Sequence, residues 1–210
     1  MADYYIIPAR KGSKGFPLKN RKLFESTANE LISINSKVIV TTDDNHIKNL
    51  CLKYKFTHHN RPSMLCKDDI SIKPVLQDIV DTFNLQPNDN LILLYLTYPE
   101  RSFNDIVKIL NFYKKNNAYS LLCKEPLTQH PYLCFFEEPN NKGTRILSHN
   151  LYRRQDYPKC FFGSHFLSIN KVNFLPKLDN NLYHKDTLFF NLNSNKIDVD
   201  YQSDFFNFKN

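Results

Sequence analysis

Residues 8–20 read Pro-Ala-Arg-Lys-Gly-Ser-Lys-Gly-Phe-Pro-Leu-Lys-Asn, gathering Arg10, Lys11, Lys14 and Lys19, with Arg21 and Lys22 immediately behind. Gly12 and Gly15 are two of only four glycines in 210 residues. Glycine lets backbone N–H groups turn toward an anion, and lysine and arginine supply charge, so this loop could cradle phosphates. Its spacing is neither the Gly-x-x-x-x-Gly-Lys-Ser/Thr of a P-loop nor the Gly-x-Gly-x-x-Gly of a dinucleotide site. A solvated basic turn is the alternative. Near the other end of the chain stands Asp198-Val199-Asp200. On a strand, its two carboxylates would share one face about 7 Å apart. There they could hold one Mg²⁺ beside substrate phosphates. Two surface aspartates on an edge strand is the plainer reading. Asp43-Asp44 follows a β-branched run, where an α/β fold would place a ligand or a helix cap. Arg153-Arg154-Gln155-Asp156 could grip a carboxylate or phosphate through an arginine fork, or form an intersubunit or solvated ion pair. The seven histidines show no metal-ligand spacing.

The charge distribution narrows the class of partner. The formal net charge is +7, yet residues 1–22 hold six basic residues and one acidic, leaving 22 basic and 20 acidic over the other 188. A local excess suits a compact polyphosphate and argues against a nucleic-acid partner, which would call for a basic stripe. No run of about 18 apolar residues suggests a membrane span. No secretory leader pattern is evident, and five cysteines without a C-x-x-C pair fit reduced thiols, so a cytoplasmic location is expected.

Hydrophobic periodicity supplies the elements that must position these residues. An apolar run, Tyr4–Ile7, precedes the basic loop, and Lys37–Thr42 reads as a second strand. Ile47, Leu50, Cys51 and Tyr54 make a one-faced helix, as do Val75, Leu76, Ile79, Val80 and Phe83. Leu91–Leu96 is continuously apolar, as befits a central strand covered on both faces. Ser102 with Asp105 resembles a capping box before a helix carrying Ile106, Ile109, Leu110 and Tyr113, and Tyr119–Cys123 is the next strand. Strand–helix alternation predicts a single α/β domain over 1–210, Rossmann-like, with a doubly wound, mostly parallel sheet. Residues 128–165, with scattered aromatics and prolines, read as a small β-rich excursion suited to dimerisation. Lys196–Tyr201 alternates like an edge or rim strand.

With these motifs in order, the chain resembles the CMP-sialate (acylneuraminate or nonulosonate) cytidylyltransferases. Ala9-Arg10-Lys11-Gly12-Ser13-Lys14-Gly15-Phe16-Pro17-Leu18-Lys19-Asn20 matches their N-terminal signature in full. Val38–Asp44, Arg61-Pro62 with Asp68 and Ser71, Leu93–Arg101, His130-Pro131, Arg154–Pro158 and Ile197–Asp200 resemble further family segments. The resemblance implies a Rossmann-like domain with a dimerisation subdomain, acting as a homodimer. It implies transfer of CMP from CTP to the anomeric hydroxyl of a sialic-acid-like 2-keto acid sugar, with release of pyrophosphate. Carried over residue by residue, Arg10, Lys14 and Lys19 would hold the triphosphate. Ala9, Gly12, Ser13, Asn20, Arg61 and Ser71 would complete the nucleotide site. Thr97, Arg154 and Gln155 would face the sugar, and Asp198 and Asp200 would hold Mg²⁺.

The departures fall on the sugar side. Tyr95-Leu96 stands where the family has Gln-Pro, Tyr98 replaces a serine, Ile72 replaces another, and Phe161-Phe162-Gly163 compresses an Arg-x-Asn-Gly stretch. Leu23–Leu31 lacks the usual Gly-x-Pro-Leu-Ile and implies an altered first helix. Two other readings therefore stay open: a weak or inactive relative that binds nucleotide or sugar, and a different nucleotidyltransferase with a similar loop.

Overall fold

The structure is a computed structural model and describes residues 1–12, 15–192 and 196–209. Strand β1 (Asp3–Pro8) is an interior strand, third from one edge of a seven-stranded sheet. After helix α1 (Lys19–Glu30) the chain returns as β2 (Val38–Thr42), then α2 (Asn45–Tyr54) and β3 (Thr57–Asn60), stepping outward on one side of β1. Helix α3 (Ile72–Phe83) then carries it to β4 (Asn90–Leu93) on the other side of β1. Helix α4 (Phe103–Lys115), β5 (Ser120–Pro126), β8 (Phe161–Lys171) and β9 (Leu188–Asn191) complete the sheet, in the order β3-β2-β1-β4-β8-β5-β9. Only β8 runs antiparallel, between β4 and β5. The expected mostly parallel, Rossmann-like α/β sheet is present.

The apolar strands are continuous because both faces are covered. Ile7, Val40 and Ile92 join the core beneath α1, α2 and α4, whereas their neighbours Ile6, Ile39 and Leu91 pack with Val75, Leu76 and Ile79 of α3. The Ser102–Asp105 capping box forms as read, fixing the start of α4. Asp44 caps α2, its side chain accepting the His46 N–H at 2.9 Å. His58 and His59 point apart across β3, with only His59 fully buried.

Three expectations change. The run Leu91–Leu96 leaves the ladder after Leu93; the Leu94 N–H still donates to the Ile6 carbonyl at 2.9 Å, and Tyr95 and Leu96 line a cleft. Lys196–Tyr201 joins no sheet; it makes one backbone bond to the post-β4 loop, Val199 N–H to the Thr97 carbonyl at 2.8 Å, which buries Val199 without a ladder. Within 128–165 only a short hairpin forms, β6 (Phe135–Glu138) with β7 (Lys142–Arg145), while the start of β8 leads back into the main sheet. A final helix, α5 (Gln202–Lys209), follows the Asp198–Asp200 segment.

Candidate active site

Strand order reverses direction at β1, so the carboxyl ends of β1 and β4 leave a crevice between them, the place where open α/β sheets receive ligands. A cleft of about 240 Å³ lies there, lined by Pro8, Arg10 and Gly12, by Lys19 and Asn20 of the first turn of α1, by Arg61, and by Tyr95–Thr97. The basic loop reaches this place because Ala9 is anchored on both sides. Its N–H donates to the Thr41 carbonyl at 2.9 Å, and its carbonyl accepts the Thr42 hydroxyl at 2.5 Å. Ala9 is thereby buried and presents nothing to the cleft.

Two cations of the cleft, Arg10 and Lys19, meet carboxylates, and the third, Arg61, meets a backbone carbonyl. The Arg10 guanidinium lies 2.5 Å from Asp68 Oδ1 and donates to the Cys66 carbonyl at 3.1 Å. Lys19 Nζ lies 2.7 Å from Asp200 Oδ1, joining residues 181 positions apart. Asn20 Nδ2 donates to the Arg10 carbonyl at 2.8 Å and so tethers the loop to α1. Arg61 is buried and donates Nε to the Leu65 carbonyl at 2.8 Å; burial pulls its pKa down from the usual arginine value. Asp43 accepts the Lys11 N–H at 2.7 Å. Asp44 meets the Arg21 fork at 2.7 and 2.9 Å. Burial pushes the Asp44 carboxyl up, but Arg21 and the His46 N–H outweigh it and hold the group below the ordinary carboxylate range. The Asp43-Asp44 pair therefore secures the loop and α2. Lys14 and Ser13 lie outside the described residues.

Neither described loop glycine adopts positive φ, so conformational freedom is not what they contribute. At Gly15 the reason is space: a Cβ would sit 3.0 Å from the Asp200 carbonyl oxygen and 3.5 Å from the Tyr201 ring. Phe16 next to it packs on Phe205 of α5 at 5.4 Å, and the Lys22 ammonium stands 4.5 Å over the Phe16 ring. Loop and carboxylate segment are thus built against each other.

The Asp198 carboxylate meets the Tyr98 hydroxyl, an interaction that adds to burial in raising the Tyr98 pKa, while its buried Oδ1 makes no hydrogen bond of its own among the described residues, an arrangement that costs free energy unless something completes it. Asp200 is more than half exposed beside it. No group of three or more His, Cys, Asp or Glu suited to a metal occurs among the described residues. Asp200, paired with the cleft residue Lys19, and Asp198 two positions before it are nevertheless a donor set that fits Mg²⁺, an ion that keeps several waters and needs only one or two carboxylates from the protein.

A second cavity of about 170 Å³ adjoins the first through shared walls, Ile72 and Tyr95. It carries the hydroxyls of Ser71, Ser164 and Ser168 and the amides of Asn180 and Asn181. Ser168 Oγ is buried without a hydrogen-bond partner among the described residues, and Ser71 Oγ donates to Asn180 Oδ1 at 3.2 Å. Ser71, expected at the nucleotide, thus lines this neighbouring cavity. Thr97 lines the basic cleft. Arg154 and Gln155 occupy an exposed turn outside both cavities, next to an Arg153–Asp156 pair at 2.9 Å. Tyr95, noted from the sequence as a departure at a sugar-facing position, forms the wall between the two cavities, whereas Ser164, Ser168, Asn180 and Asn181 carry no spacing signal by which the sequence could single them out. Arg101, the last residue of the Leu93–Arg101 segment, likewise carries no local signal of a role in the site.

Comparison with known proteins agrees with this architecture. A family model described as cytidylyltransferase matches residues 4–186. The chain is 33% identical to the post-translational flagellin modification protein B of Campylobacter coli, over 95% of this chain and 90% of that protein. It is 26% identical to an N-acylneuraminate cytidylyltransferase of Streptococcus agalactiae over 83% of this chain, but spans only 45% of that longer relative. A solved CMP:2-keto-3-deoxy-manno-octonic acid synthetase complexed with CTP superposes with a TM-score of 0.70 at 12% identity, covering 100% of this chain and 97% of that one, a likeness of fold. The chain is a nucleotidyltransferase: it belongs to the cytidylyltransferase family. No described helix is long and apolar enough to cross a membrane.

Proposed function

We propose that the protein transfers CMP from CTP to the anomeric hydroxyl of a sialic-acid-like 2-keto acid sugar. The observation that carries this reading is the junction of two cavities at Tyr95 and Ile72. One is basic and built on the signature loop; the other is lined by hydroxyls and amides. In the basic cleft Arg10 and Lys19 hold triphosphate oxygens, with Lys14 assigned beside them through the signature. Asn20 and Arg61 keep the loop and the cleft wall in place. The acceptor occupies the second cavity, where Ser71, Ser164, Ser168, Asn180 and Asn181 offer hydrogen-bond partners to a polyhydroxylated ring. The acceptor oxygen forms a bond to the α-phosphorus. The bond from that phosphorus to the bridging oxygen breaks, and pyrophosphate leaves with the electron pair while the hydroxyl proton is released. Such a reaction depends on positioning and charge neutralisation, which this inventory of cations supplies. Asp198 and Asp200 would hold Mg²⁺, which when bound neutralises phosphate charge; the unpartnered Asp198 oxygen supports that assignment.

Residues 128–165 are the dimerisation subdomain of a cytoplasmic homodimer. The support is an excursion bearing exposed apolar side chains, among them Phe135, Phe136, Leu151, Tyr152 and Phe162, which a second copy could cover. The test incubates the protein with each of the four nucleoside triphosphates, Mg²⁺ and a panel of 2-keto acid sugars, measuring pyrophosphate. Release with CTP and such a sugar alone is the expected result. Release with another base, or with CTP and no sugar, would refute it.

A further inference from the structure

Lys19 and Asp200 are differently placed toward solvent. The Lys19 side chain is 13% exposed and that of Asp200 is 59% exposed. An ammonium withdrawn from water needs a counter-charge, whereas a largely hydrated carboxylate does not. Asp200 is also held independently of Lys19. Its N–H donates to Asp204 Oδ2 at 3.0 Å, the Tyr201 N–H donates to the same oxygen at 2.8 Å, and Val199 is tied to Thr97. The Asp200 carbonyl packs over Gly15.

We propose that the Lys19 ammonium is the placeholder of the metal on Asp200, so that metal and triphosphate exchange with this ion pair and each promotes the other's binding. This rests on the metal and nucleotide assignments of the proposed function. A divalent ion arriving at Asp200 displaces Lys19, which is left withdrawn from water without a counter-charge until triphosphate oxygens supply one. A triphosphate that draws Lys19 away frees Asp200 for the metal. The coupling is reciprocal, as linkage requires. Without nucleotide, the pair holds the metal back.

Removing the ammonium therefore tightens metal binding in the absence of nucleotide. A pair of this exposure corresponds to an affinity gain of about two- to fivefold. The measurement is Mn²⁺ binding to the full chain without nucleotide, read as free Mn²⁺ by electron paramagnetic resonance. Lys19→Met, with Lys19→Gln as a second variant, is expected to bind about two- to fivefold tighter than wild type. Lys11→Met, which removes an exposed charge from the same loop, controls for charge alone and is expected to gain less. If neither Lys19 variant exceeds Lys11→Met while Asp200→Asn loses Mn²⁺, the metal assignment stands and the exchange is overturned. If Asp200→Asn binds Mn²⁺ as wild type does, Asp200 is no metal ligand and the inference falls with that assignment.

Discussion

Arg101 offers the sharpest test of how the site is held. The residue is 2% exposed, and its guanidinium donates to the Phe166 carbonyl and, at 2.8 Å, to the Tyr95 carbonyl, while lying 5.6 Å from the Phe166 ring centre. Among the described residues no carboxylate pairs with it. Burial pulls its pKa from 12.5 down to about 10, a penalty on the charged form of about 3 kcal/mol. Against that stand two charge-assisted hydrogen bonds at about 1.5–3 kcal/mol each. Arg101→Met relieves the penalty and loses both bonds, so the net destabilisation is about 0–3 kcal/mol, or at most about 12 °C in melting temperature for a chain of this size. The functional loss should be larger than that suggests. Tyr95 and Thr97 form the wall of the cleft, and the Thr97 carbonyl holds Val199 between the two aspartates. Freed of Arg101, the wall should let Val199 N–H exchange faster by mass spectrometry, and pyrophosphate release should fall by at least about tenfold, or about 1.4 kcal/mol of barrier. CTP affinity should change less than turnover. Arg101→Lys keeps the charge but cannot span both carbonyls, and is expected not to rescue. If Arg101→Met melts near wild type, exchanges at Val199 as wild type does and turns over within twofold, Arg101 does not position this wall.

The two described loop glycines should part company. Gly15→Ala drives a methyl to 3.0 Å from a backbone carbonyl of the carboxylate segment and should cost about 1–3 kcal/mol with a loss of turnover. Among the described residues Gly12→Ala meets only the tip of the Arg10 side chain at 3.9 Å and should melt close to wild type, so equal losses of stability in thermal melts would contradict the packing argument. His58 and His59 are both held below the ordinary histidine value. Burial is the main cause for each, opposed at His59 by Asp78, whose Oδ2 lies 3.1 Å from Nε2. A depressed folded pKa means that stability is complete above the unfolded value near 6.5 and declines as pH falls through it, because the unfolded chain takes up protons first. Urea midpoints at pH 7.5 and 5.5 should show this decline in wild type and a smaller one in the His58→Gln/His59→Gln double variant; an equal decline would assign the acid sensitivity elsewhere.

Much of the architecture was legible because it depends on short-range patterns. The Ser102–Asp105 box, the Asp44 cap and the one-faced helices follow from spacing within a turn or two, and the continuous apolar runs follow from burial on both sheet faces. The basic loop could likewise be read, since charge and glycine content are local. Lys196–Tyr201 misled because alternation signals which residues face inward, and Val199 does, but it does not supply a neighbouring strand.

From its residues alone the chain determines an α/β sheet, a cationic loop behind the first strand and two carboxylates spaced by one buried residue. Only the tertiary structure decides their partners. Lys19 meets Asp200 across 181 positions because both segments converge at the carboxyl ends of β1 and β4, a consequence of strand order that no local pattern encodes. The same convergence makes Gly15 a requirement of space, sets Ser71 in the second cavity, leaves Arg154 and Gln155 outside both, and makes Arg101 a buried support. The physical reason is that secondary structure follows from neighbouring backbone and periodic burial, whereas a site depends on which distant surfaces the sheet brings within hydrogen-bond reach.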